Sequence, residues 1–557
     1  MSAGHSALPV AVVGGGPVGL AAAAHLVTRG VPVKLYEAGE TVAANVRDWG
    51  HVRLFSPWGF NTDAAATAIL REHGWQAPPA TALPTGHDLY AAYLQPLAET
   101  PALRSVIETG ARVRNVSRDG IDKVVSRGRG DYPFALTIDD ANGGSRVDLA
   151  RAVIDASGTW SNQNPASASG TPAIGEITFA DRIAYGVPDV LGRDRDAYAG
   201  RRVLVIGGGH SAANVLLDLA RLAETDHRLQ IIWAVRAANL ARVFGGGDAD
   251  KLAARGKLGD DLRKIVESGR LQFALRFAVE KIERAGDAFV VTERAGSNSR
   301  TLGPVDRIVV CTGQRPDLSM TRELRLDLDP WLESARTLGP MIDPNLHSCG
   351  SVPPHGYKQL AHPERGYFAV GIKSYGRAPT FLMATGYEQV RSVAAHLAGD
   401  EAAANDVRLV LPETGVCSTN VVAELAANAG CCGGPAPADA DACCVDDAET
   451  KATGAAGCGC SAPEAKAVAA QTCCGSMPDR IYNVLFLCTG NSAVGAGRQV
   501  HYGAQQRPCH RDEASWWIGR RPHFASSDSE FSRKFWRLLL AGKRSLKSSG
   551  IWLESRE

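Results

Sequence analysis

Apolar residues run unbroken from Pro9 to Val13, too few for a helix but enough for a strand buried on both faces. A glycine-rich stretch follows at once, then a helical run from Leu20 to Val27 that Gly30 terminates, then a strand run from Val31 to Tyr36 that ends at Glu37. The unit recurs once. Val203 to Ile206 is the strand, residues 207–212 are the glycine turn, the helix runs through Leu222, and the next strand, Gln230 to Val235, ends at Arg236. Further strand runs cover Ala152 to Trp160, Arg307 to Pro316 and Tyr367 to Gly371, and Val390, Val393, Ala394 and Leu397 share one face of a closing helix. Regular patterns hold from about Leu8 to Asp400. From about Leu411 to Met477 the chain is mostly Ala, Gly, Pro, Asp and Cys, too poor in large apolar residues to bury a core, and is expected to be a flexible linker. A strand pattern resumes at Ile481 and leads into Cys488, and after Ala493 no period is left.

Composition narrows this picture. A chain of 557 residues exceeds one hydrophobic core, so two or three domains are expected. Lys and Arg number 60 against 59 for Asp and Glu, and the net charge of +1 gives no reason to expect nucleic acid or an anionic membrane as partner. A small-molecule substrate fits better. The apolar stretch Val10 to Val27 resembles a membrane span only until its glycines and His25 are counted, and no cationic segment precedes it, so a cytoplasmic protein is expected. Of thirteen cysteines, eight crowd between Cys431 and Cys474, while the first 410 residues hold only Cys311 and Cys349.

The two glycine turns carry the chemistry. In Gly14-x-Gly16-x-x-Gly19 the first glycine permits the tight turn, the second lets backbone amides approach a pyrophosphate, and the third lets helix and strand pack closely. The helix N-terminus favours the negative charge, and Glu37 is placed to accept from the ribose hydroxyls of an adenosine. The set predicts an FAD site, against the bland alternative of an ordinary glycine-rich turn. Gly207-x-Gly209-x-x-Ala212 is the second copy, with Arg236 where an acidic residue would otherwise stand. A guanidinium suits a 2′-phosphate, which favours NADPH over NADH unless Arg236 merely lies on a solvated edge. Ser157-Gly158, Thr312-Gly313 and Gly371 lie at strand ends where small residues let the chain pass close to a cofactor.

On these motifs the first 400 residues resemble the two-dinucleotide-binding flavoprotein superfamily. The resemblance implies an α/β chain: an FAD-binding Rossmann-like domain (1–198 and 306–411), an inserted NADPH-binding Rossmann-like domain (199–305), a disordered Cys-rich linker (412–478) and an incomplete α/β tail (479–557). Disulfide reductases of the superfamily carry a cysteine pair spaced by two or four residues, and Cys311, Cys349 and Cys417 are each isolated. The flavin monooxygenases carry no such pair, although their linker fingerprint is not matched by Phe179 to Tyr198. Trp49 to Trp58, Ser348 to Gly356, Lys373 to Phe381 and Gly386 to Arg391 resemble flavoproteins encoded with arsenic-resistance systems. Arg53, Lys373 and Arg377 fall in segments expected near the cofactors and are candidates to contact a phosphate or the flavin, or else are structural cations.

The cysteine-rich stretch adds a metalloid reading. Cys431-Cys432, Cys443-Cys444 and Cys473-Cys474 are adjacent pairs without zinc-site spacing, and suit a soft ion such as trivalent arsenic or antimony. The run Val484 to Ala493 resembles the start of thiol-dependent arsenate reductases of the low-molecular-weight phosphatase type, in which an arginine clamps the oxyanion bound over the cysteine. Here Val494 stands in its place, and the chain beyond does not resemble that family, as a frameshift or truncation would leave it. No arsenate reductase activity is expected. The leading expectation is therefore an NADPH-dependent FAD oxidoreductase, monooxygenase-like, acting in arsenic or metalloid detoxification. A flavin reductase without oxygen chemistry that uses Cys349 or Cys417 as a substrate ligand, and a metalloid carrier with a structural flavin domain, are the alternatives.

Overall fold

The computed structural model describes residues 7–409, except 141, 246, 248–249, 295–298, 347–351 and 380. The first apolar run forms strand β1 (Val10–Val13) and the turn after it opens helix α1 (Pro17–Thr28), which leads into β2 (Val33–Tyr36). Pro17 suits the start of α1 because its missing N–H would have no partner there, and Gly30, at φ +67°, lets the chain leave the helix. A short strand β3 (Ile107–Glu108) is followed by an antiparallel sheet of β4 (Arg112–Arg118), β5 (Phe134–Asp139) and β6 (Ser145–Ala150). That sheet was not foreseen. It packs Val116, Phe134, Leu136 and Ile138 against Ala11, Val13 and Val153, so both faces of the parallel sheet are buried. Strand β7 (Ala152–Asp155) then returns beside β1, pairing Val13 with Asp155.

The second nucleotide fold contains β8 (Ile183–Tyr185), β9 (Arg202–Ile206), α2 (His210–Thr225), β10 (Gln230–Ala234), α3 (Ala253–Glu267), β11 (Gln272–Ala274), a three-stranded antiparallel sheet of β12 (Val279–Ala285), β13 (Ala288–Glu293) and β14 (Thr301–Val305), and finally β15 (Arg307–Val310). Its parallel sheet has the order β11-β10-β9-β15-β8. The expected boundaries at 198/199 and 305/306 therefore cut inside this fold, because β8 and β15 pair within it.

The chain crosses between the two folds twice, and the crossings are zipped together. Asn164 N donates to Gly313 O at 2.9 Å, Arg315 N to Asn162 O at 3.1 Å, and Thr159 Oγ1 to Gln314 Oε1 at 2.9 Å. After the second crossing β16 (Tyr367–Ala369) completes the first sheet in the order β16-β7-β1-β2-β3, all parallel, and α4 (Met383–Leu397) closes the fold. Helix α1 is buried nearly all round, between this sheet and α4. A Cβ at Gly386 would lie 2.6 Å from Val18 Cγ2, so the two helices touch through a glycine. Among the described residues no helix is long and apolar enough to cross a membrane.

Candidate active site

At the first turn the three glycines have distinct reasons to be glycine. Gly14 sits at φ +99°, and a Cβ there would lie 2.7 Å from Ala156 O; a Cβ at Gly19 would lie 1.9 Å from Gly14 O. Gly16 faces open space, with no atom within 4 Å of an added Cβ. The space lies at the N-terminus of α1, whose first amides have no carbonyl partner within the helix, so it is shaped and polarised for a pyrophosphate. Glu37 ends β2 and its carboxylate is fixed by two amides, accepting from Gly15 N and Gly39 N, each at 2.7 Å. Two hydrogen bonds leave lone pairs free on both oxygens for ribose hydroxyls. These features fit the adenosine and pyrophosphate of FAD.

A buried polar knot stands against this cradle. Lys373 Nζ lies 2.7 Å from Asp155 Oδ2 and donates to Ser157 Oγ at 2.9 Å, while Ser157 Oγ donates to Asp155 Oδ1 at 2.6 Å and Tyr367 OH to Asp155 Oδ2 at 2.8 Å. The side chains of Lys373 and Asp155 are 3 % and 0 % exposed. A second buried chain holds the turn at Gly371: Gln389 Oε1 accepts from Gly371 N at 2.8 Å, and Gln389 Nε2 reaches Ser374 Oγ at 2.9 Å and His355 Nε2 at 3.1 Å. Burial pushes the His355 pKa down, so its ring is neutral in this network.

The second turn repeats the logic. Gly207, at φ +137°, would bring a Cβ to 2.3 Å from Cys311 O, Gly209 faces open space, and Ala212 is fully buried against the core of its own fold. Thr312 Oγ1 donates to Asn164 O at 2.8 Å, and Gly313 follows at φ +90°. Arg236, just past β10, is exposed, and its Nη1 makes a long contact with Ala168 O at 3.4 Å. The cradle thus fits a dinucleotide as the first does.

Sequence reasoning missed the contact that joins the two cradles. The Phe55 ring, from the first fold, lies 5.3 Å from His210 at the start of α2, and the Arg255 guanidinium sits 5.8 Å from the centre of Phe55, pinned by Asp250 through two bonds of 2.6 Å. Burial, then Arg255, pushes His210 down to about 4, so it is neutral at physiological pH. Its position inside the glycine motif was the one signal available.

Each of the three candidate cations has a partner within the protein. Arg53 donates to Leu83 O at 2.9 Å, Arg377 pairs with Glu333 at 2.9 Å, and Lys373 belongs to the knot with Asp155. The Cys311 thiol is buried, donates to Gly186 O at 3.2 Å and is pushed up to about 12 by burial, so it is an unreactive thiol. Among the described residues no group of three metal-ligating side chains comes together. Cys349, Cys417, Cys431, Cys432, Cys443, Cys444, Cys473, Cys474 and Cys488 lie outside the described residues.

Known proteins agree with this architecture. Residues 8–338, more than half of the chain, match the pyridine nucleotide-disulphide oxidoreductase family. No curated protein matches by sequence. Among solved structures, the bacillithiol disulfide reductase of Bacillus cereus is 17% identical over 70% of this chain and 99% of its own, with a TM-score of 0.52. That of Staphylococcus aureus is 14% identical over 71% and 99%, with a TM-score of 0.50. At such identities the likeness is one of fold. The chain belongs to the pyridine nucleotide-disulphide oxidoreductase family and is an oxidoreductase that depends on FAD and NAD(P)H.

Proposed function

We propose that this protein uses NADPH to reduce FAD and works in monooxygenase fashion, passing electrons to oxygen in the detoxification of arsenic or a related metalloid. One observation supports the reading: Cys311, the only cysteine among the described residues, is buried and its thiol is bonded to Gly186 O, and burial raises its pKa, which disfavours it as an electron-relaying thiolate. When bound, FAD supplies the redox chemistry, accepting a hydride and delivering the electron pair onward. The chain's own residues hold and orient. Gly14, Gly16, Gly19 and Glu37 receive the FAD, Gly207, Gly209 and Ala212 receive the NADPH pyrophosphate, and Arg236, exposed beside its cradle, takes the 2′-phosphate. Arsenic enters from the sequence alone: the adjacent pairs Cys431-Cys432, Cys443-Cys444 and Cys473-Cys474 suit trivalent arsenic, and the run into Cys488 resembles an arsenate reductase.

Anaerobic reduction of the bound flavin by NADPH, followed by admission of air with and without arsenite or an organic arsenical, tests the reading. Oxygen uptake coupled to NADPH and stimulated by the arsenical is the expected result. NADPH oxidation that needs a thiol or disulfide substrate and consumes no oxygen establishes the reductase alternative, and tight arsenite binding without turnover establishes a carrier.

A further inference from the structure

Beside the Lys373 knot lies a cavity of about 10 Å³ whose walls include Ser334, Lys373, Ser374, His362 and Tyr367. That volume is about what one water molecule needs. The polar groups around it are nearly all spoken for. Tyr367 OH is given to Asp155, Ser374 Oγ to Gly371 O, and the His362 ring to the backbone of Asp327. Two are not. Ser334 is 1 % exposed, and its Oγ has no hydrogen-bond partner. Lys373 Nζ carries three protons, of which Asp155 and Ser157 take two. A buried hydroxyl and a buried ammonium proton left unmet are each costly, and the two residues that carry them line one water-sized space.

We propose that a single internal water fills this cavity, accepting from Lys373 Nζ and donating to Ser334 Oγ, and that Lys373 so completed is a positioning residue for FAD. The polar chain then runs without a break from Ser334 through the water and Lys373 to Ser157 and Asp155. Its inner end is the cofactor cradle, because Ala156 O and Ser157 Cα are the atoms that a Cβ at Gly14 would strike, at 2.7 and 2.9 Å. Its outer end is the 329–335 loop, which is locked to the Lys373 turn: a Cβ at Gly376 would lie 1.9 Å from Leu332 O and 2.8 Å from Ser334 N. Lys373 therefore acts on FAD through Ser157 and the turn at residues 156–158 rather than by touching it. The proposal rests on the FAD site and not on the choice of NADPH or of oxygen chemistry.

A high-resolution crystal structure of the full chain with FAD is expected to show one density peak within hydrogen-bonding distance of Lys373 Nζ and Ser334 Oγ. An empty cavity overturns the water. Ser334→Val, which fills the space and removes the hydroxyl, and Lys373→Met are expected to weaken FAD binding about tenfold and to alter the vibronic structure of the flavin absorbance band, with Lys373→Arg restoring part of the affinity. Lys373→Met alone leaves the Asp155 charge uncompensated and is the variant most exposed to misfolding. The double variant Lys373→Met, Asp155→Asn removes both charges, and is expected to recover thermal stability without recovering FAD affinity. Wild-type FAD affinity in that double variant and in Ser334→Val shows the knot to be structural only and overturns the positioning role, whatever the reaction proves to be. Trp331→Gln, at an exposed position of the same loop, is expected to keep wild-type affinity, and a tenfold loss there attributes the effect to the loop and overturns the assignment to Lys373.

Discussion

The indole nitrogen of Trp233, fully buried on β10, donates to the carbonyl oxygen of Gly207 at 2.7 Å and so fixes the first glycine of the second turn from beneath. The bond joins the core of the nucleotide fold to its cradle. Trp233→Phe keeps an aromatic ring but opens a cavity and leaves that carbonyl without its donor, at a cost of about 1–3 kcal/mol for the unmet group. Urea denaturation is expected to show this loss, with KM for the nicotinamide cofactor raised and flavin content unchanged.

The glycines divide into those the fold needs and those the cofactor needs. Gly14 and Gly207 hold positive-φ backbone and a Cβ at either would strike a carbonyl oxygen, so Gly14→Ala and Gly207→Ala are expected to destabilise the protein or abolish its soluble expression. Gly16 at φ −75° and Gly209 at φ −110° are ordinary backbone facing open space. Gly16→Val and Gly209→Val should therefore fold with the melting temperature of the cofactor-free wild type while losing FAD and the nicotinamide cofactor respectively. Absorbance of the purified protein and cofactor titration read these two outcomes, and cofactor binding that survives in both variants refutes the assignment of the cradles.

Those cradles were legible because everything that builds them is local. Strand, turn, helix and the residue ending the next strand lie within about one βαβ unit of sequence, and two-sided burial turns β1 and β9 into continuous apolar runs. The pairing of β8 and β15 in the second sheet was not legible, because register between distant strands leaves no mark on either strand alone. The sheet β4-β5-β6 had a faint signal: β5 alternates buried and half-buried positions from Phe134 to Asp139, while the charges of β4 hide its partner. The knot at Lys373 had none. Ser157 and Lys373 are 216 positions apart, and nothing near any of the three cation candidates distinguishes one bound for a buried carboxylate from one free to meet a phosphate.

Acid stability is set in part by a buried triad. Glu364, its side chain 2 % exposed, accepts from Arg118 at 2.7 Å and from Arg129 at 2.9 Å, and its Oε2 also accepts from Arg325 N at 3.0 Å. Burial alone pushes its pKa up, but the bonds from Arg129 and Arg118 overcome this and hold it below the usual carboxylate value. A carboxylate depressed in the folded state contributes stability that is complete above its unfolded pKa of about 4.3 and lost as pH falls through the folded one. Wild-type stability should accordingly drop as pH is lowered below about 4.3. Glu364→Gln, which leaves two buried guanidinium groups short of a counter-charge, is expected to lose about 3–5 kcal/mol at neutral pH and much of that acid dependence. Urea midpoints measured from neutral to acid pH check both, and parallel pH profiles for the two proteins would refute the triad's role.

Cofactor choice is expected to turn on Arg236. It stands just beyond β10, where the ribose of a nucleotide seated on Gly207 and Gly209 would lie, and its long contact to Ala168 O is readily exchanged for a phosphate oxygen. A charge-assisted bond of this kind contributes about 1.5–3 kcal/mol, or roughly ten- to more than a hundredfold in kcat/KM. Arg236→Ala is therefore expected to lower kcat/KM for NADPH by that factor and leave NADH nearly unaffected. Arg236→Glu should invert the preference, since a carboxylate repels the 2′-phosphate and accepts from the free 2′-hydroxyl of NADH. Phosphate contacts fade with ionic strength, so the wild-type preference for NADPH should narrow in salt while that of Arg236→Ala stays flat. Steady-state assays with both cofactors at two salt concentrations decide the matter, and a wild-type enzyme that favours NADH would place Arg236 on a solvated edge without a role in recognition.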